Sequence, residues 1–249
     1  MKRPVRNDGR LPDQLREWTI TCGILEHAEG SALIETGRTR VVASASVEDR
    51  VPAFLRNEGK GWVTAEYAML PRATHSRSPR ERGGRIGGRT MEIQRLIGRS
   101  LRSVTDLRGF GERTVTIDCD VLQADGGTRV ASITAAWVAL HKCFEFLLDQ
   151  GLIERVPLHD SVAAVSVGVV NNVALLDLDY DEDSMAEVDM NVVMTGKGRL
   201  VEVQATAEGS PFSVARLNSL IRLARTGIEH IEKLQRRTLG LSPSSCSVA

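Results

Sequence analysis

A glycine-glycine-threonine-arginine sequence stands where a predicted strand gives way to a predicted helix. In "QADGGTRVASITAAWVAL", residues 123–140, Gly126 and Gly127 precede Thr128 and Arg129, and an apolar run follows. Glycine lets a ligand approach the backbone closely, and a helix N-terminus offers unpaired N–H groups. A threonine hydroxyl and the forked arginine side chain would complete a phosphate-binding site. A tight turn with a threonine cap and a surface arginine would use the same residues.

A second candidate is a belt of arginines in a chain whose overall charge is balanced, with 32 basic and 32 acidic residues. Between residues 72 and 108 there are ten arginines, no lysine and three acidic residues. Concentrated positive charge attracts polyanions, and arginine favours phosphate contacts and base stacking. A solvated loop beside a salt-bridged helix, or ion pairs between subunits, would also use these residues. The arginines are Arg72, Arg77, Arg80, Arg82, Arg85, Arg89, Arg95, Arg99, Arg102 and Arg108.

A third candidate is an acidic segment at residues 177–191, "DLDYDEDSMAEVDMN", which is predicted to form a hairpin. It contains seven acidic residues and no basic one. Such density is repulsive unless a cation or a basic surface neutralises it, and oxygen ligands suit Mg²⁺ or Mn²⁺. Outward carboxylates on a solvated loop are the alternative. That alternative fits Asp189 least well, because Asp189 interrupts an apolar strand pattern.

Taken together, the three candidates indicate phosphoryl transfer that involves a polynucleotide. Positioning and charge stabilisation dominate such chemistry, so a covalent nucleophile on the enzyme is not required. This agrees with five scattered histidines and no G-x-S-x-G motif. Water could attack, as in a metal-dependent nuclease, or inorganic phosphate could attack, as in a phosphorylase. An anion site separate from the RNA path favours phosphate.

The pattern of strands and helices predicts how these residues are positioned. Strands are predicted first, then a helix from Thr90, a strand at Thr114–Leu122, and a second helix after the glycine pair. Four more strands, with a turn at Asn171-Asn172, lead to a last helix over Ser213–Arg236. The order predicts an α+β sandwich of mixed sheets and helices. We expect a single domain over residues 1–236 and a disordered tail over residues 237–249.

The composition argues against a membrane protein and against a secreted protein. No apolar run reaches the length of a membrane span, and the basic start lacks the apolar stretch of a secretory signal. Four cysteines are far apart in the sequence. We therefore expect no membrane association, free thiols and a cytoplasmic location.

Several long, ordered stretches resemble the bacterial ribonuclease PH family of phosphorolytic 3′-to-5′ exoribonucleases, which is related to polynucleotide phosphorylase. The resemblance covers nearly the whole chain. The stretches are "GWVTAEYAMLPRATHSR", "GGRTMEIQRLIGRSLR", "IDCDVLQADGGTRVASIT", "VAAVSVG", "EDSMAEVDMNVVMT" and "VEVQATAEGSPFS".

The resemblance implies a fold like that of ribosomal protein S5 domain 2, with a βαβ unit in each half. It also implies a homohexameric ring built as a trimer of dimers. The implied reaction transfers the terminal nucleotide of RNA to inorganic phosphate and releases a nucleoside diphosphate. Precursors of transfer RNA, trimmed at the 3′ end, are the implied substrates, along with other RNA 3′ ends. A metal-dependent hydrolase and a catalytically silent RNA-binding ring subunit remain as alternatives.

The family motifs also assign roles to particular residues. By resemblance, the phosphate site consists of Arg89, Gly127, Thr128 and Arg129. The acidic pair linked to catalysis and to a divalent metal is Asp183 and Asp189. The basic loop that binds transfer RNA contains Arg72, Arg77 and Arg80.

Overall fold

The computed structural model describes residues 6–81 and 86–242. Within these residues the chain forms nine strands in two sheets and four α-helices. The predicted α+β class is therefore confirmed.

The first sheet contains the only parallel strand pair among the described residues. Its strand order is β1-β2-β3-β5-β4, and β4 runs parallel to β5. A parallel pair needs a crossover, and helix α1 supplies it. The elements are β1 (Trp18–Cys22), β2 (Gly30–Thr36), β3 (Thr39–Glu48), β4 (Trp62–Met69), α1 (Gly88–Arg102) and β5 (Thr114–Gln123).

The second sheet is antiparallel throughout, with the order β7-β6-β8-β9. Because β7 and β8 are each antiparallel to β6, they run in the same direction on either side of it, and the short helix α3 connects them in a β-α-β succession. The segment predicted as an acidic hairpin instead contains a short helix between β7 and β8. The elements are β6 (Val162–Val170), β7 (Val173–Leu176), α3 (Tyr180–Ser184), β8 (Val188–Thr195) and β9 (Leu200–Ala207).

Helix α2 (Thr128–Asp149) lies between the two sheets and forms the centre of the core. It packs against β2, β3 and β5 on one side and against β6 on the other. Sixteen of its 22 residues are buried. By length and composition α2 could cross a membrane, but 83% of its apolar window is buried inside the protein. Both sheets therefore pack on the same helix.

Backbone conformation explains where the observed elements differ from the predicted ones. Asn171 and Asn172 both have positive φ, as the predicted tight turn requires. Asp177 has a φ of 56°, so β7 ends before it. The final helix, α4 (Val214–Thr238), continues past the predicted start of the disordered tail. The part of that tail beyond residue 242 lies outside the described residues.

Candidate active site

The glycine pair places the N-terminus of α2 against the segment that leads into α3. Gly126 and Gly127 have φ values of 76° and 69°, in the left-handed region that favours glycine. A Cβ atom on Gly126 would lie 2.7 Å from the carbonyl carbon of Asp179 and 2.7 Å from the carbonyl oxygen of Leu178. The close approach at Gly126 is therefore to the chain's own backbone rather than to a ligand. It brings the proposed phosphate site next to the acidic segment.

Thr128 begins α2 and has a partner that the sequence did not reveal. Its Oγ1 accepts a hydrogen bond of 3.0 Å from the hydroxyl of Tyr67, which is buried at the end of β4. Burial raises the pKa of Tyr67, so the phenol stays protonated and keeps donating. Since Tyr67 occupies an acceptor position of Thr128, the threonine proton is free to be donated to an anion.

Arg129 is held in place by residues from α1 and β9. Its Nη1 donates to Oε1 of Gln204 at 2.7 Å and lies 3.4 Å from Oε2 of Glu92. The Gln204 amide donates in turn to Glu92 at 2.8 Å. These contacts orient the guanidinium group before any ligand arrives. Glu92 and Gln204 lie in the quoted motifs, but only their three-dimensional contact with Arg129 reveals this role.

A cleft of about 440 Å³ opens beside this network. It is lined by polar groups from α1, α2, β8 and β9, including the carboxylate of Asp189. A site of this size and polarity suits a phosphate and the end of an RNA chain. The lining residues are Glu92, Arg129, Asp189, Asn191, Gln204, Ala205 and Thr206.

Arg89 lies in the first turn of α1 and is exposed. Desolvation raises the pKa of the Asp183 carboxyl group, and the positive charges of Arg89 and Arg129 limit that rise. Arg129, at the N-terminus of α2, and Asp189, on β8, line the same cleft although they are far apart in the sequence. This arrangement unites the predicted phosphate site with the predicted acidic pair.

The seven acids of the acidic segment are not equivalent. Two of them, Asp177 and Glu182, are paired with arginines from the N-terminal segment, a role that the sequence did not indicate. Burial by itself would raise the pKa of Asp177, but its contact with Arg16 and Trp18 holds that pKa below its ordinary value. The two pairs are Arg6 with Glu182 and Arg16 with Asp177 at 2.6 Å. Arg10 lies 4.0 Å from Asp179, and desolvation keeps the pKa of Asp179 raised.

Asp183 and Asp189 are a different case, because they are close to each other. Although Asp183 is exposed as a residue, the protein around its carboxyl group removes enough water to raise its pKa. Desolvation and the negative charge of Asp183 raise the pKa of Asp189 to about 6. Oδ1 of Asp189 is buried and has no hydrogen-bond partner in the described part of the protein. Two such carboxylates would gain from a shared cation.

The donor set fits a hard divalent ion that keeps part of its water shell. Residues 6–81 and 86–242 contain no group of three or more His, Cys, Asp or Glu side chains arranged to hold a metal. Magnesium often binds through one or two carboxylates, with water and substrate phosphate as the other ligands. The orphaned oxygen of Asp189 is suitable for such a contact.

The raised pKa of Asp189 predicts how stability depends on pH. The native chain keeps this proton up to about pH 6, whereas the unfolded chain loses it near 3.8. The free energy of unfolding should therefore fall as pH rises between these values and remain lower above them. Asp189→Asn removes this loss. With a chelator present to remove divalent ions, we expect Asp189→Asn to raise the free energy of unfolding at pH 8 by about 1 kcal/mol, after allowance for solvent screening.

Urea denaturation of both proteins at pH 8 and pH 5 measures the effect. The gain from Asp189→Asn should shrink at pH 5, because wild-type Asp189 then carries its proton. A gain that is the same at both pH values would contradict the raised pKa.

The basic loop after β4 is better anchored than its sequence indicated. Ala73 is buried in the core, and its carbonyl accepts a hydrogen bond of 2.8 Å from the Ala124 amide, beside the glycine pair. Arg72 donates to the carbonyl of His75 at 3.0 Å. Arg77 and Arg80 are exposed. The remaining arginines of this loop, Arg82 and Arg85, lie outside the described residues.

Arginines farther along α1 are partly engaged within the protein. Arg99 forms an ion pair with Glu202 at 2.5 Å. The guanidinium carbon of Arg102 lies 4.4 Å from the ring centre of Trp62, a cation–π distance. The arginines of this part of the belt therefore contact other side chains of the protein, as in the salt-bridged helix that was the alternative to polyanion binding.

The fold and the site together define an α+β protein in which an arginine at the N-terminus of the central helix and a desolvated aspartate on a neighbouring strand line one polar cleft. Sequence comparison then identifies the group. Residues 14–143 match the 3′ exoribonuclease family, domain 1, and residues 160–227 match domain 2 of the same family. The chain therefore belongs to the 3′ exoribonuclease family.

Two relatives are similar over nearly the full chain. Ribonuclease PH of Methylocella silvestris is 57% identical over 93% of this chain and 98% of its own length. Ribonuclease PH of Methylobacterium sp. (strain 4-46) is 54% identical over 95% of this chain and 100% of its own. At this similarity the chain is a phosphate-dependent 3′-to-5′ exoribonuclease, a nucleotidyltransferase with inorganic phosphate as co-substrate.

A solved structure supports the fold independently. The Archaeoglobus fulgidus exosome with RNA bound to the active site contains a chain that is 23% identical, with a TM-score of 0.78. The match covers 92% of each chain. It agrees with the predicted likeness to ribosomal protein S5 domain 2.

Proposed function

We propose that this enzyme trims the 3′ ends of transfer-RNA precursors and other RNAs by phosphorolysis, with Mg²⁺ or Mn²⁺ at the acidic pair. The observation that carries the proposal is that Arg129, held by Gln204 and Glu92, lines the same polar cleft as Asp189.

In this proposal the attacking phosphate binds at the start of α2. Backbone N–H groups and the Thr128 hydroxyl donate to it, while Arg129 and Arg89 offset its charge. The network of Glu92 and Gln204 keeps the Arg129 fork in one orientation, so little reorganisation is needed at the moment of reaction. The phosphate then lies in line with the last phosphodiester of the RNA.

Asp183 and Asp189 would hold the divalent ion, which when bound supplies positive charge to the phosphoryl oxygens and the departing 3′ oxygen. The raised pKa values of this pair are consistent with that role, because they show that the protein leaves its negative charge poorly compensated. The other buried acids of the segment already have arginine partners.

One assay tests the proposed reaction. Incubation of the enzyme with a 3′-tailed transfer RNA and Mg²⁺, with and without phosphate, should yield nucleoside diphosphates only when phosphate is present. Nucleoside monophosphates would indicate hydrolysis, and the absence of product would indicate a silent binding subunit.

The basic loop is proposed to bind the body of the transfer RNA. Replacing Arg72, Arg77 and Arg80 together by alanine should weaken binding of the precursor and reduce its salt dependence by up to about three phosphate contacts. Turnover of a short oligoadenylate should change little, since it does not reach the loop. Fluorescence anisotropy across a salt series, together with turnover of both substrates, measures these effects.

A matched control removes three charges elsewhere, by alanine at the exposed Arg222, Arg225 and Lys233 of α4. That variant should keep the wild-type salt dependence. Equal losses on both substrates for the loop variant would mean that the loop acts in catalysis.

We further propose that the chain assembles into a homohexameric ring, a trimer of dimers. Large apolar side chains are exposed on and beside the sheet edge formed by β9, among them Met91 and Leu200, and subunit contacts would cover them. Light scattering should give six times the 27.2 kDa chain mass. A monomer across micromolar concentrations would refute the ring.

The proposed location is the cytoplasm. Three cysteines of the described chain, Cys22, Cys119 and Cys143, are free thiols, and burial raises the pKa of Cys143 to about 12. Unreactive free thiols are consistent with a reducing compartment.

A further inference from the structure

Two aromatic rings meet at the surface beside the active site and have no role in the mechanism above. The ring centres of His75 and Tyr180 are 5.9 Å apart, with the ring planes at 60°. Tyr180 is 50% exposed. Aromatic residues make up only 4% of the chain, so few other side chains could stack on a base. Exposed aromatic surface of this kind is available for stacking.

The pair is attached directly to the catalytic elements. Tyr180 is the first residue of α3, and Asp183, three residues later, lies on the same face of that helix. A Cβ on Gly126 would lie 2.9 Å from the Tyr180 amide nitrogen, so Tyr180 adjoins the turn that starts α2. His75 follows Ala73, whose carbonyl is bonded to the same turn through Ala124.

The charge around Tyr180 indicates which part of an RNA could contact it. Asp181, next to Tyr180 on α3, is exposed, so it repels a phosphate group placed beside the Tyr180 ring. An uncharged nucleobase is not repelled, and its face can stack on tyrosine whatever the base. His75 contacts the Tyr180 ring at this angle, and half of the Tyr180 surface stays exposed.

We infer that Tyr180, braced by His75, stacks against the base of the 3′-terminal nucleotide, the one that leaves as a nucleoside diphosphate. The inference rests on the phosphorolytic function. It favours the terminal base because Tyr180 is beside both Asp183 and the turn that begins the phosphate site, which flank the bond to be broken. Stacking would make recognition of the leaving nucleotide tolerant of sequence.

Equilibrium binding separates base recognition from phosphate recognition. Calorimetry with ADP and with inorganic pyrophosphate, which lacks a base, should show Tyr180→Ala weakening ADP binding about tenfold and leaving pyrophosphate unchanged. Tyr180→Phe should restore ADP binding, and His75→Ala should weaken it less. Met185→Ala, at a residue 58% exposed just after α3, is the matched control and should bind ADP normally.

Oligoadenylate phosphorolysis provides the second measurement. Tyr180→Ala should raise the KM for the RNA and leave the KM for phosphate unchanged. Unchanged ADP binding, or an equal loss for ADP and pyrophosphate, would overturn the inference. A loss confined to longer RNA would assign the His75–Tyr180 pair to an upstream base. A change in oligomeric mass would assign the pair to a subunit contact. Either result would also overturn the inference. Wild-type enzyme that released no diphosphates would contradict the proposed function instead.

Discussion

Arg129→Ala and Arg89→Ala should each reduce phosphorolysis roughly a hundredfold or more, chiefly by raising the phosphate concentration that the enzyme requires. Each change removes a charged donor at the start of a helix, where the helix dipole also favours an anion. For Arg129 the loss extends further, since Glu92 and Gln204 would then face the cleft without the guanidinium group that they now contact. Initial rates over a phosphate series measure both constants.

Two controls show whether the loss is specific. Arg129→Lys keeps the charge but not the fork, so it should recover only part of the activity. Arg222→Ala removes an exposed arginine of α4, which covers the second sheet, and should behave as wild type. An unchanged KM for phosphate and unchanged turnover in both alanine variants would refute the assigned phosphate site.

Asp183→Asn and Asp189→Asn should each abolish most activity while folding and RNA binding are retained. Each variant removes one of the two carboxylates proposed to hold the divalent ion, and an amide oxygen is a weaker ligand for a hard cation than a carboxylate. Desolvation and the charge of Asp183 raise the pKa of Asp189 to about 6, and Asp183→Asn removes the second of these causes. Turnover across a Mg²⁺ series, circular dichroism and RNA binding together measure this combination.

Asp181→Asn is the matched control, because Asp181 lies in the same short helix and is exposed. It should retain turnover and the wild-type requirement for Mg²⁺. Near-normal turnover of Asp183→Asn or Asp189→Asn at saturating Mg²⁺ would show that the affected residue has a different role.

Local sequence patterns were sufficient for most of the elements. The glycine pair before an apolar run marked the start of α2, and Asn171-Asn172 marked the turn between β6 and β7. These features depend on residues that are near one another in the chain, since turn geometry and helix starts depend on backbone preferences. The candidate residues for chemistry could be chosen for the same reason, because the type of each side chain limits what it can bind.

The burial of α2 was decided by tertiary structure. The apolar run after Arg129 predicted the helix, and the structure encloses it from both sides because two sheets pack around it. Periodicity reports the contrast between two faces, so it cannot reveal a second sheet on the opposite side.

Which acidic residues of the segment have a cationic partner was also decided only by the tertiary structure. Its charge density could be read from the sequence, but not which acids remain without a cation. Arg16 neutralises Asp177 from 161 positions away in the chain. Asp189 has no such partner among residues 6–81 and 86–242, and its buried oxygen is left unpaired beside Asp183. Coulomb interactions depend on distance in space and on burial, and the folding of the chain sets both.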